Sequence, residues 1–330
     1  MPGNQPDLKE ALYELVDLER PFGPIEEAIS DALIKKYAFA MDDYHPWYFG
    51  DSPFGRRIAP PGLLVNDLLW LFGTAYNPHT SVGLHTQEEL WFSAPAFAGE
   101  RVTLTGKHIE KYERRGKGHV VMEANAHGED GRLLLRHRDV TIFRVPATPV
   151  SDTPADRSPV ETPEKRVTGE YNKEVEPVSR ARRGIAPGTP LVSLPKRAAQ
   201  EQVTVFSGFV ELLQISGRAR GIERTQLRNI HTTPEVAQSA GLRDTVLQGV
   251  MENNFLTELL TNFFGAAWLT SGWQKVKFIK PVYSGEPTTA GGVVTCEKET
   301  DVGIRLELEI WLRNAAGQLA ATGWAGAALE

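Results

Sequence analysis

The sequence predicts an α+β fold made from two copies of one unit, each a curved antiparallel sheet around a central helix. Two observations carry that prediction. Phe92-x-x-Pro95-x-x-x-Gly99-Glu100, with Gly131-x-Leu133 after it, recurs as Phe278-x-x-Pro281-x-x-x-Gly285-Glu286 with Gly317-x-Leu319, every position offset by 186 residues. A repeat that holds register through alternating apolar sequence marks a duplicated β-rich unit. The second observation is the order of elements, since each copy shows an apolar helix-like stretch followed by four strand-like runs.

In the first copy, Met1 to Glu19 is acidic and helix-like, and it lacks the basic and apolar regions of a secretory leader. Ile25 to Met41 carries an apolar stripe at helical spacing, ended by Asp42-Asp43 and Pro46. Pro60-Pro61-Gly62 opens Leu63 to Phe72, whose length and scarcity of β-branched residues (Val65 alone) predict a buried helix. Strand-like runs follow near Leu84–Ser93, Arg101–Tyr112, Gly118–Ala126 and Leu133–Val145. From Pro146 to about Pro190 the composition turns to Pro, Thr, Ser, Glu and Arg without periodicity, as in a linker. The second copy has a short extended piece at Leu191–Leu194, a helix from Ala198 and an apolar helix from Val250 to Phe264. Strand-like runs near Gln274–Lys280, Thr288–Cys296, Gly303–Leu312 and Leu319–Ala328 complete it. The expected boundaries are therefore residues 1–145, a linker at 146–190, and residues 191–330.

A buried helix followed by a curved antiparallel sheet, occurring twice, describes a tandem or double hot-dog fold. Pairing two such units edge to edge covers strands that would otherwise be exposed. A net charge of −6 argues against a nucleic-acid partner, which requires a basic surface. No run of about 18 apolar residues exists to span a membrane. Cys296 is the only cysteine, so an intramolecular disulfide and thiol-ligated zinc are excluded; no metal site and a cytoplasmic location are the expectations.

The most specific string is Asn229-Ile230-His231-Thr232-Thr233-Pro234-Glu235-Val236-Ala237, continuing through Ala240-Gly241-Leu242 and Val246 to Gln248-Gly249-Val250-Met251. It resembles the MaoC-like (R)-specific enoyl-CoA hydratase family, also called hydratase 2. In that family an Asp-x-Asn-Pro-Ile-His motif precedes a short helix and a Gly at the head of the hot-dog helix. Phe39-Ala40-Met41-Asp42-Asp43-Tyr44-His45-Pro46-Trp47-Tyr48 looks like the same motif in a degenerate first unit. There Asp43 takes the aspartate position and Tyr48 stands where the histidine would. The resemblance implies a hydro-lyase that hydrates an enoyl-thioester or dehydrates a 3-hydroxyacyl-thioester, as in fatty acid metabolism. His231 would act as base or acid and the Gly249 N–H would bind the thioester oxygen, with Gly62 as its counterpart in the first unit. Histidine suits proton transfer near neutrality, and an unpaired amide at a helix start suits a developing oxyanion. No cofactor is implied beyond coenzyme A or phosphopantetheine as part of the substrate. The implied partners are a homodimer of double hot-dog chains or a second hot-dog subunit.

The sequence departs from the family at one chemical position. The expected aspartate falls at Gln226, which cannot transfer a proton, and Phe209 to Arg228 form an insertion. Three readings stay open. A carboxylate comes from elsewhere, with Glu223, Glu252 and Asp244 as candidates; His231 acts with ordered water; or hydration is lost while the acyl pocket is kept. Altered chemistry in secondary metabolism and a non-catalytic acyl-binding subunit are the matching alternative functions. Arg218, Arg220, Arg224 and Arg228 form either a solvated basic face or a clamp for coenzyme A phosphates. Asn229, Gln248 and Asn253 are further candidates to contact substrate. His45, in a Pro-Trp-Tyr loop, reads as a structural histidine, and most of the tryptophans read as core.

Overall fold

The computed structural model describes residues 8–77, 83–144, 166–207, 228–301 and 303–329. In chain order the first half contains β1 (Lys9–Glu10), β2 (Pro21–Ala28), α1 (Asp31–Met41) and α2 (Val65–Trp70). It continues through β3 (Tyr76–Asn77), β4 (Leu84–Phe92), β5 (Arg101–Arg114), β6 (Lys117–Gly128) and β7 (Leu133–Arg144). The second half contains β8 (Leu194–Arg197), α3 (Gln200–Ser207), α4 (Pro234–Ser239), α5 (Gly249–Phe264) and α6 (Ala266–Ser271). Its sheet strands are β9 (Trp273–Phe278), β10 (Pro287–Thr300), β11 (Gly303–Arg313) and β12 (Leu319–Leu329).

Ten strands form one antiparallel sheet in the order β2-β5-β6-β7-β4-β9-β12-β11-β10-β8. The order is a palindrome about the β4–β9 junction, because each strand of one half has its repeat counterpart at the mirrored place. At that junction Glu89 pairs across the strands with Lys275, which is also its counterpart 186 residues on. A local two-fold axis therefore passes between these two residues, and their side chains approach to 3.5 Å. The repeat's glycines fall where the backbone requires them: Gly99, Gly131, Gly285 and Gly317 all have positive φ (85°, 81°, 77° and 71°) in turns between strands.

Helix α5 is buried at thirteen of its sixteen residues, so it is enclosed nearly all round rather than along one stripe, with Glu252, Asn253, Asn254, Thr257 and Thr261 among the buried side chains. It begins at Gly249 after an extended Gln248 and stops at Gly265 with φ +63°. Its counterpart α2 is only six residues long and passes into a 3-10 turn over Leu71–Thr74, shorter than the helix expected from Leu63 to Phe72. The difference leaves unfilled volume under the first half's sheet.

Two other expectations are corrected. The Ile25–Met41 stripe is split: Pro21–Ala28 is an edge strand on β5, and the helix starts only at Asp31 after the Ser30 cap, whose Oγ accepts the Leu33 N–H at 3.1 Å. An edge strand tolerates Pro24 where a helix interior does not, and pairing with β5 outweighs the helical spacing. The N-terminal stretch, where described, is a short strand and a 3-10 turn at Tyr13–Leu15 rather than a helix, because Lys9–Glu10 pair with Tyr76–Asn77. Of the linker, residues 166–190 lie along the second half, where the Ala181 N–H donates to the Phe263 carbonyl and the Gly188 N–H to the Val294 carbonyl. Among the described residues no helix is long and apolar enough to cross a membrane.

Candidate active site

One cavity of about 720 Å³ opens between the two halves, lined by the loop before α4, the start of α5, the end of α2 and the inner faces of β4 to β7. His231 lines it. The loop that carries His231 is tied by Asn229, whose Oδ1 accepts the backbone N–H groups of His231 at 2.8 Å and Thr232 at 3.1 Å. An asparagine two residues before the histidine is thus a loop fastener of Asx-turn type. The imidazole Nδ1 lies 2.9 Å from the Val246 carbonyl. A carbonyl only accepts, so Nδ1 carries the proton and the lone pair is on Nε2. Burial lowers the His231 pKa to about 4, so the ring is neutral across the physiological range.

Gly249 also lines the cavity. As the first residue of α5 its N–H has no intrahelical acceptor, and among the described residues none bonds it. A β-carbon at this position would lie 3.0 Å from Phe278 Cε2 and 3.2 Å from His85 Nδ1, so a side chain here would crowd both against the helix start. Gly249→Val is therefore expected to lower kcat/KM for the reaction proposed below by about 10²-fold or more, comparable to loss of one oxyanion donor. Steady-state kinetics on a variant with unchanged circular dichroism checks this.

Of the three carboxylate candidates, the structure brings Glu252 to the cavity. Its side chain is buried, and burial holds its pKa well above the usual carboxylate range against the opposing Val282 N–H. Burial therefore favours its protonated form, and Oε2 has no hydrogen-bond partner among the described residues. Asp244 is exposed and bonds its neighbour's N–H, the Thr245 amide at 2.7 Å. Glu223, Arg218, Arg220, Arg224 and Gln226 lie outside the described residues. Arg228, Asn229 and Gln248 line the cavity, and Gln248 Nε2 donates to Ser207 Oγ at 2.9 Å.

The first half's motif is not part of this site. Asp43 Oδ2 accepts from the Tyr48 hydroxyl at 3.2 Å, and Asp43 Oδ1 from the His45 N–H at 3.3 Å, in a buried cluster with Lys196 and Glu258. Gly62 is closed off by Asn254, whose Nδ2 donates to the Gly62 carbonyl at 3.2 Å, and by the Tyr37 hydroxyl. Asn253 is fully buried, its Oδ1 accepting from Gln274 Nε2 at 2.7 Å. The expected roles of Asp43, Tyr48, Gly62 and Asn253 at the cavity are therefore corrected. Their hydrogen-bonding groups are taken up inside the protein, Asp43 with Tyr48, Gly62 with Asn254 and Asn253 with Gln274.

The cavity also gathers His85, His108 and Asp139 from the first half's sheet, all three outside the family-like motifs. Strand β7 offered a signal. Its apolar phase, set by Leu135 and Phe143, places His137, Asp139 and Thr141 on the same inward face.

No family model matches the chain, and no curated protein sequence matches it. Solved structures do. A MaoC-like dehydratase aligns over 96% of this chain and 100% of its own, at 14% identity and TM-score 0.67. A MaoC domain dehydratase from Chloroflexus aurantiacus covers 98% of each chain at 12% identity and TM-score 0.64. A Mycobacterium tuberculosis protein described as having a double hotdog fold covers 96% of this chain and 98% of its own, at 12% identity and TM-score 0.62. With its palindromic ten-stranded sheet, this chain has the double hot-dog fold that MaoC-like dehydratase structures share.

Proposed function

We propose that this protein adds water across the α,β double bond of an enoyl thioester, or removes it from the 3-hydroxyacyl thioester. The observation that carries the reading is the meeting of three groups on one cavity: a lone-pair Nε2 on His231, an unbonded Gly249 N–H and the Glu252 carboxyl, whose pKa burial raises. In hydration, His231 Nε2 takes a proton from water as its oxygen bonds to the β-carbon. The negative charge that moves onto the thioester oxygen meets the Gly249 N–H at the positive end of α5. Glu252 then gives its proton to the α-carbon, and solvent returns protons between the two groups after product leaves. The acyl chain runs beneath the first half's sheet, in the volume that the short α2 leaves open. Coenzyme A or phosphopantetheine enters from the His231 loop side.

Loss of the conjugated double bond in a set of enoyl thioesters, with a product heavier by one water by mass spectrometry, tests the proposal. Unchanged mass with every thioester would refute it. The pH profile adds a second check, since kcat/KM follows groups of the free enzyme. His231 must be unprotonated and its pKa is about 4, so activity is expected to hold as pH falls through 6.5 and to drop only near pH 4. An acid limb centred near 6.5 would assign the base elsewhere. The alkaline limb is expected where Glu252 loses its proton, displaced upward from an ordinary carboxylate by burial.

A further inference from the structure

The acyl branch of the cavity has an apolar wall from Leu69, Phe72, Val120, Met122 and Phe143, interrupted by a few polar side chains. Four side chains on that wall each carry a buried polar atom with no partner among the described residues: Trp70 Nε1, His85 Nδ1, His108 Nδ1 and Asp139 Oδ1. Three of them form a stripe along the inner face of one sheet. His85 pairs across the strands with Thr141, while Asp139 pairs with Met122, which pairs with His108. The stripe starts beside the thioester site, where His85 Nδ1 faces the Gly249 backbone. It ends in the interior at His108, whose ring sits 4.8 Å from that of Phe22 and 5.4 Å from that of Tyr76, between centroids.

Neighbours constrain the hydrogen-bonding sense of two of these atoms, His85 Nδ1 and Asp139 Oδ1. His85 Nε2 is 3.0 Å from the Gln87 carbonyl and so donates, which leaves Nδ1 as an acceptor. Asp139 Oδ2 accepts from Thr141 Oγ1 at 2.9 Å, leaving Oδ1 to carry the proton when the carboxyl is neutral. Burial raises the Asp139 pKa to about 7, so both its forms are present near neutrality and Oδ1 can donate or accept. Trp70 Nε1–H can only donate. An alkyl chain would bury all four unpaired. A hydroxyl answers both senses, and a keto oxygen answers the donors.

We propose that the acyl chain this cavity selects is oxygenated, bearing hydroxyl or keto groups along its length that pair with His85, Asp139, His108 and Trp70. The inference rests on the thioester reading above and names its substrate class. A site built to hydrogen-bond an oxygen rejects the analogue lacking it far more strongly than a greasy pocket rejects a methylene, so a preference of about 10-fold or more in kcat/KM is expected.

The test uses two enoyl thioesters of equal chain length, one with a plain alkyl tail and one with hydroxyls along the tail, plus the saturated, unreactive form of each. Wild type, Asp139→Val, Asp139→Asn and His108→Phe are compared by kinetics and by calorimetric binding of the saturated pair. The expected result is a wild-type preference for the hydroxylated tail that shrinks in Asp139→Val and His108→Phe and is retained in Asp139→Asn. An alkyl tail that binds as well as the hydroxylated one in wild type overturns the proposal. So does a preference that the folded variants leave unchanged. If neither enoyl thioester gains water, the hydration reading fails, while calorimetry on the saturated pair still decides the preference for oxygen.

Discussion

Replacing His231 with alanine is expected to lower kcat/KM for enoyl-thioester hydration by about 10²- to 10⁴-fold, the range typical of a lost general base. The expectation follows from how the ring is held. Its Nδ1 proton is committed to the Val246 carbonyl, so the ring has one orientation and one tautomer, and Nε2 is the only nitrogen available to substrate. His231→Asn, whose amide stands at the same distance along the side chain as Nδ1, can keep a bond to that carbonyl but offers no base, so it is expected to fold like wild type and be as inactive as His231→Ala. Single-turnover kinetics separates the chemical step from binding. Activity within a few fold of wild type in either variant would remove His231 from the chemistry.

Lys196→Met is expected to destabilise the protein by about 3 kcal/mol, the scale found when one partner of a buried ion pair is removed. Lys196 Nζ lies 2.7 Å from Glu258 Oε2 and donates to the Asp42 carbonyl at 2.8 Å, with Asp43 close by. Two carboxyls thus share one ammonium. Burial, with Asp43 as a second negative neighbour, pushes the Glu258 pKa up to about 8. Without the lysine, the charge the pair carries has no counterion and both carboxyls must hold protons. The sign with pH follows: a carboxyl with a raised folded pKa loses stabilisation as pH rises through that value. In wild type the loss ends near pH 8, where Glu258 ionises beside Lys196. In the variant it continues, so the deficit is expected to widen above about pH 8. Urea unfolding at pH 6 and pH 9 measures it, and an equal or smaller deficit at pH 9 would contradict this account. The same cluster explains why the first half's motif is structural: Asp43 and Tyr48 hold α1 against α5 rather than facing a ligand.

The eight main strands, the buried second helix and the His231–Gly249 spacing were legible in the sequence because each depends on local chemistry. Alternation places side chains on a sheet face, positive-φ glycines close the turns, and an Asx-type loop with an uncapped helix start makes a histidine and an amide available. The split of the Ile25–Met41 stripe was not legible, because the pairing of Pro21–Ala28 with β5 depends on a strand more than seventy residues away. Nor was the choice among the candidate carboxylates. The motif points to a residue just before His231, whereas the structure brings Glu252, from the first turn of α5, to the cavity, and its raised pKa depends on burial that no local pattern encodes. The sequence by itself determined that a unit is repeated and that a histidine and a glycine stand at family spacing. Only the tertiary structure decided that the first half gives the cavity its walls, because the order β7-β4-β9-β12 sets the inner face of one copy beside the helix start of the other. Which polar atoms are left unpaired there is a property of packing across that junction, and packing joins residues that sequence distance keeps apart.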